Sequence, residues 1–160
     1  MSENLKDRLI SIFQDLADTV SSKPRELGEI IDAMLADIRE LKTFYTEKEI
    51  VDVAAQIAGS DSLELYWLAR AGIQSVKKLL VEGLESEDSC QTMWAAIGLV
   101  YLNSNEGMEK LEKLALLSTK DDAELTLEEI YEEISTSKLV ELVKFRNKID
   151  SGEYGAISSK

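Results

Sequence analysis

Histidine is absent from this chain of 160 residues, and cysteine and proline each occur only once. Without histidine the chain lacks the usual general base, the catalytic triads that depend on it, and the commonest ligand of catalytic zinc. The single cysteine, Cys90, excludes an internal disulfide, a cysteine-based zinc site and an iron–sulfur cluster. The sequence also contains no glycine-rich loop of a nucleotide-binding type. These absences predict a protein with no cofactor, no metal and no enzymatic activity.

Glycine is scarce as well, with eight residues, while apolar residues make up 44% of the chain. All-β folds use more glycine and proline in their turns, so the composition favours a helical globular domain. The longest nearly continuous apolar run, from Met93 to Leu102, is too short to cross a bilayer and predicts a buried helix. The first ten residues have no basic stretch before an apolar core, as a signal peptide would, so we expect a cytoplasmic protein.

Apolar residues recur at intervals of three and four along most of the chain, which predicts an all-α fold. We expect a single-domain bundle of seven or eight helices arranged as antiparallel hairpins, or a short solenoid-like stack. The pattern places the helices at about 4–20, 23–43, 47–58, 62–81, 87–102, 106–118, 127–134 and 138–149. The domain therefore covers 1–150, and the glycines and serines of 151–160 predict a flexible tail.

Several of these helices begin with a sequence that can cap a helix. Thr46 with Glu49, and Thr126 with Glu129, have the spacing of a capping box, in which the two residues satisfy each other's free backbone N–H groups. Asp61 opens the fourth predicted helix in a similar style, and Ser86 is the expected cap of the fifth.

One stretch of the fifth predicted helix resembles the first half of a tetratricopeptide repeat. It has Trp94, Ile97, Gly98 and Tyr101 at the appropriate spacing, and a second helix follows. Gly107 stands where the repeat usually has alanine, and no other segment carries the pattern. We therefore interpret this region as an ordinary helical hairpin in which small residues allow a close crossing.

Acidic residues outnumber basic ones by 31 to 18, and the formal net charge is −13. The excess is concentrated between Glu82 and Glu133, a segment that contains fourteen acidic residues and only three lysines. The segment from Lys138 to Lys148 is basic. Such acidity disfavours nucleic acids and anionic membranes and favours a basic protein partner. The predicted partner-binding residues are ten carboxylates of the acidic segment: Glu106, Glu109, Glu112, Asp121, Asp122, Glu124, Glu128, Glu129, Glu132 and Glu133.

Each of these features also has an ordinary structural interpretation. Pairs of glutamates four residues apart are typical of a solvated helix face, because a cation site needs oxygens that converge from several directions. The acidity as a whole is also explained by solubility alone. Cys90 is more typical of an inert thiol than of a reactive one. Trp67 and Trp94 are expected to anchor the core rather than to stack on a ligand.

Three functions remain open. The leading hypothesis is a non-enzymatic, acidic helical binding protein of the inhibitor, immunity or anti-defence type, which occludes a basic partner. The charge pattern is similar in kind to that of small helical immunity proteins and acidic mimics of nucleic acid, although no motif of those families is present. The second hypothesis is a scaffold or adaptor subunit that binds through apolar surface. The third is an enzyme that uses carboxylates alone.

Overall fold

The computed structural model describes residues 3–18, 24–58, 63–118, 125–135, 137 and 139–154. Within those ranges helices are joined by turns and loops and no β-strand is present, which confirms the all-α prediction. It forms nine α-helices: α1 (Glu3–Asp18), α2 (Pro24–Leu41), α3 (Glu47–Ile57), α4 (Leu63–Arg70), α5 (Lys77–Gly83), α6 (Ser89–Tyr101), α7 (Asn105–Leu117), α8 (Leu127–Ile134) and α9 (Val140–Asp150). A short 3₁₀ turn, Gln74–Val76, precedes α5.

The helix α6 lies at the centre of the fold and packs against α4, α5 and α7. Its buried residues point in all directions around its axis, as the long apolar run predicts. They are Thr92, Met93, Ala95, Ala96, Ile97, Gly98, Leu99 and Val100. The helices α1, α2 and α3 form the other half of the core, in which Leu9, Ile38 and Ile50 are completely buried.

Both predicted capping boxes are confirmed. At the start of α3, Glu49 N donates to Thr46 Oγ1 over 3.1 Å, and Thr46 N donates to Glu49 Oε1 over 3.0 Å. At the start of α8, Glu129 N and Thr126 N make the corresponding bonds, each over 3.1 Å. The predicted cap at Asp61 lies outside the described residues.

The prediction of one continuous helix at 62–81 is wrong, because α4 ends at Arg70 and α5 begins only at Lys77. Gly72 adopts a left-handed conformation with φ +90°, which glycine accommodates without strain, and the 3₁₀ turn follows. Two side chains from distant parts of the sequence form hydrogen bonds to the segment between α4 and α5. Arg39 Nε donates to the Ala71 carbonyl oxygen over 3.2 Å, and Ser75 N donates to Glu47 Oε1 over 3.0 Å.

The cap of α6 also differs from the prediction. Asp88, rather than Ser86, is the N-cap residue, and its Oδ1 accepts hydrogen bonds from Cys90 N (2.9 Å) and Gln91 N (3.2 Å). Ser86 supports this cap, because its Oγ accepts a hydrogen bond from Asp88 N over 3.1 Å and so orients the capping residue. A carboxylate at this position also interacts favourably with the positive end of the helix dipole.

The close crossing predicted from the small residues is present between α6 and α7. A Cβ atom on Gly107 would lie 2.5 Å from the carbonyl oxygen of Ala96 and 2.8 Å from the Cβ of Leu99. Only glycine lets the two backbones approach this closely. The interpretation of the region as a tightly packed helical hairpin therefore agrees with the structure.

The C-terminal helices α8 and α9 pack against each other. Arg146 Nη1 donates to the carbonyl oxygen of Ser135 over 2.7 Å, which places a cation at the negative end of the α8 dipole. The chain continues as turns through residues 151–154, and Tyr154 is buried with its ring centroid 5.5 Å from that of Phe145. Residues 155–160 of the expected tail lie outside the described residues.

Candidate functional site

The glutamates of α8 are presented on one side of the helix because the opposite side is anchored in the core. Leu127, Ile130 and Ile134 are buried, and their spacing directs the intervening glutamates outward. Glu128, Glu129 and Glu132 are exposed, and Glu133 is half-buried. We call these four glutamates the α8 acidic ridge. Glu129 also completes the capping box, so its carboxylate has a structural role in addition to its charge.

Glu133 has a carboxyl group with a raised pKa. Partial burial, followed by the negative charges of Glu132 and Glu129, raises the pKa of the Glu133 carboxyl to about 7. Burial penalises the charged form, and neighbouring carboxylates penalise it further. Near neutral pH this carboxyl is therefore partly protonated, and a nearby cation would favour its ionised form.

The glutamates of α7 differ in their exposure and in their neighbouring residues. Glu106 and Glu109 are exposed, whereas Glu112 is half-buried and lies close enough to Tyr154 to influence it. The pKa of Tyr154 is raised, mainly by burial and then by the charge of Glu112. The structure therefore brings together Glu129, Glu132 and Glu133. Of the ten predicted residues, three lie on α7 and four on α8. Asp121, Asp122 and Glu124 lie outside the described residues.

None of these α7 and α8 glutamates takes part in an ion pair with another described residue. The ion pairs in the described ranges are Lys42–Glu47 at 3.0 Å, Lys48–Asp52 at 2.9 Å and Lys148–Glu153 at 4.0 Å. Arg146 of α9 donates to backbone carbonyl groups and Lys148 pairs with Glu153, so neither forms an ion pair with the ridge. Glu128, Glu129 and Glu132 are thus exposed, and no ion pair of the described ranges includes a glutamate of the α8 acidic ridge.

A second group of side chains, which the sequence did not reveal as a unit, surrounds Arg70 at the end of α4. The ring centroids of Tyr66 and Trp67 are 4.9 Å apart, and those of Tyr66 and Trp94 are 5.1 Å apart. Tyr101, from the last turn of α6, donates from its hydroxyl to Ser137 Oγ over 2.6 Å. The predicted core role of the tryptophans agrees with the burial of Trp67 and the partial burial of Trp94.

Two local patterns contribute to this group: Tyr66, Trp67 and Arg70 lie within about one turn of α4, and Trp94 and Tyr101 lie about two turns apart on α6. Tyr101 lies far away in the sequence and joins the group only through the packing of α4 against α6. The group could therefore not be assembled from local patterns alone.

A shallow cleft of about 480 Å³ lies between α1 and the turn after α2. Asp7, Arg8 and Ser11 line one side, and Phe44 and Tyr45 line the other. Phe44 is largely exposed, and the Arg8 guanidinium carbon lies 5.5 Å from its ring centroid. Across the described parts of the chain, no three side chains of metal-ligating type converge on one point.

Comparison of the chain with protein-family models, with curated proteins and with solved structures finds no match. No helix in the described ranges combines the length and the apolar composition needed to cross a membrane.

Proposed function

We propose that this chain is a non-enzymatic, cytoplasmic binding module of the inhibitor, immunity or anti-defence type, and that its α8 acidic ridge contacts a basic protein partner. The observation that carries the proposal is the ridge itself. Four glutamates stand on one short helix whose other side is buried, and no described cation is paired with any of them. Like charges held together cost stability unless an external cation offsets them, and a basic partner supplies that cation.

Such a ridge acts in two ways. Its field attracts a basic partner over a distance of about 10 Å at 0.1 M salt, which increases the rate of encounter. Once the partner is bound, the helical body blocks the covered surface by its bulk, so no chemistry is needed. Glu133 adds a local effect, because a cation beside it lowers its pKa and makes the ridge more negative in the complex.

A scaffold or adaptor role is the second candidate, and a different observation favours it. Leu116, Leu117 and Val140 are large apolar side chains that are more than half exposed, at the end of α7 and the start of α9. An assembly held together by these residues would respond little to salt, since burial of apolar surface is its driving force.

Capture from native lysate with three forms of the protein separates the two candidates. The ridge variant carries E128K and E132K, which leave the capping Glu129 and the buried face of α8 intact. The control carries D37K and E40K, which reverse two exposed carboxylates on α2 and change the net charge equally. The proposal predicts a basic protein that the wild type and the control capture and that the ridge variant and high salt release. Equal capture by all three forms at every salt concentration contradicts it.

A further inference from the structure

Arg70 is held in a fixed orientation by side chains of two different helices. Its guanidinium carbon lies 5.5 Å from the ring centroid of Trp67 on α4 and 5.2 Å from that of Tyr101 on α6. Its Nη1 also donates to Tyr66 Oη over 3.1 Å. Burial raises the pKa of Tyr66, so this phenol stays neutral and accepts the hydrogen bond at any physiological pH. These contacts orient the guanidinium before any ligand binds.

Arg70 forms no ion pair with a carboxylate of the described residues. The chain has 31 acidic residues, yet no ion pair of the described ranges includes Arg70. The other arginines with hydrogen bonds across the fold, Arg39 and Arg146, both donate to backbone carbonyl groups that end or interrupt a helix. Arg70 instead donates to one phenol and remains partly exposed.

The group around Arg70 also contains a buried donor without a partner. The Nε1 atom of Trp67 is inaccessible to solvent and makes no hydrogen bond to the described residues. Burial of such a donor without a hydrogen bond reduces stability. The local arrangement thus orders a cation at some expense in stability, which is typical of binding sites.

We propose that the guanidinium edge of Arg70, clamped between Trp67 and Tyr101, is a binding site for a carboxylate group. The planar fork of N–H donors on a guanidinium matches the two oxygens of a carboxylate, and the rings have already fixed its plane. A phosphate group concentrates up to about two negative charges at one point, whereas each carboxylate group carries one. The acidic surroundings, with Glu133 within electrostatic range of Tyr66, therefore oppose a phosphate group more strongly. The proposal does not depend on the function of the α8 acidic ridge.

The test follows the Nε–H resonances of the arginines by NMR while succinate is added at constant ionic strength. Arg8 serves as the internal control, because its guanidinium lies over the exposed ring of Phe44 and over no second ring of the described residues. We expect the Arg70 resonance to shift and saturate at a succinate concentration about tenfold lower than Arg8 requires. Arg70 and Arg8 shifts that follow the same curve, or no saturation at Arg70, contradict the proposal.

Two further arms identify the ligand. Inorganic phosphate should bind Arg70 more weakly than succinate, and equal or tighter binding contradicts the choice of carboxylate. A short neutral peptide with a free C-terminal carboxylate is compared with its amidated form. Tighter binding of the free form than of succinate indicates a polypeptide ligand, and weaker binding indicates a small acid.

Variants then show which property of the site matters. R70K keeps the charge and removes the planar fork, so succinate should no longer change the fluorescence of the adjacent Trp67. Y101F keeps the stacking ring and removes only the hydrogen bond to Ser137, so it should bind succinate as the wild type does. If R70K binds succinate as well as the wild type does, or if a folded Y101F no longer binds it, the proposed carboxylate site at Arg70 is wrong.

Discussion

At the scale of single residues, Glu133 couples the stability of the fold to pH. Its pKa is raised from 4.5 to about 7 in the folded chain, first by burial and then by Glu132 and Glu129. A carboxyl that binds its proton more tightly when folded stabilises the protein below pH 4.5, and this contribution is lost as the pH rises to 7.

The variant E133Q removes this titration. We expect E133Q to be more stable than the wild type at pH 8, by about 1–2 kcal/mol after allowance for solvent around the half-buried side chain. The difference should be much smaller at pH 5. Urea unfolding at the two pH values measures it, with E128Q as the control, because it makes the same substitution at an exposed position of the same helix. An E133Q difference that is the same at both pH values contradicts this account of Glu133.

Gly107 is the second residue whose role can be tested alone. In G107A the new methyl group would meet the Ala96 carbonyl oxygen at 2.5 Å, so the α6–α7 pair must move apart. Alanine favours a helix by about 0.5–1 kcal/mol over glycine, but overpacking costs about 1–3 kcal/mol, so we expect net destabilisation in thermal or urea unfolding. A G107A variant at least as stable as the wild type contradicts the close crossing.

At the scale of the element, the sequence predicted what is local and missed what depends on distant contacts. The capping boxes at Thr46 and Thr126 each lie within four residues, so their pattern was sufficient. The break between α4 and α5 was missed because apolar residues continue through it. Its stabilising partners, Arg39 and Glu47, lie 32 and 28 residues away from Ala71 and Ser75.

The cap of α6 gives a prediction at this scale. D88A removes an acceptor that serves two backbone N–H groups, so it should lower the free energy of unfolding by about 1 kcal/mol. Ser104 is the matched control, because it occupies the N-cap of α7 but its side chain makes no capping bond. S104A should therefore cost clearly less in the same urea unfolding experiment. Equal costs for the two variants would mean that Asp88 does not stabilise α6 through its cap.

At the scale of the whole molecule, the sequence predicted the helical class and the acidic surface, but not how the charges are grouped. The spacing of the α8 glutamates predicted that they share a helix face. It did not predict that Glu133 is half-buried or that Glu112 lies near Tyr154. The site around Arg70 was missed for the same reason, since Tyr101 reaches it from another helix. Charge composition is visible in a sequence, but its arrangement depends on packing.

The central claim is that the α8 acidic ridge steers and holds a basic partner. Its most direct test is the association rate constant of the captured partner, measured by stopped flow at about 0.05 M and about 1 M salt, where the screening length falls to roughly 3 Å. We predict that E128K/E132K associates about tenfold more slowly than the wild type at low salt, and that high salt removes most of the difference. The D37K/E40K control should stay within about threefold of the wild type. A ridge variant that associates at the wild-type rate, with the same salt dependence, would contradict the account.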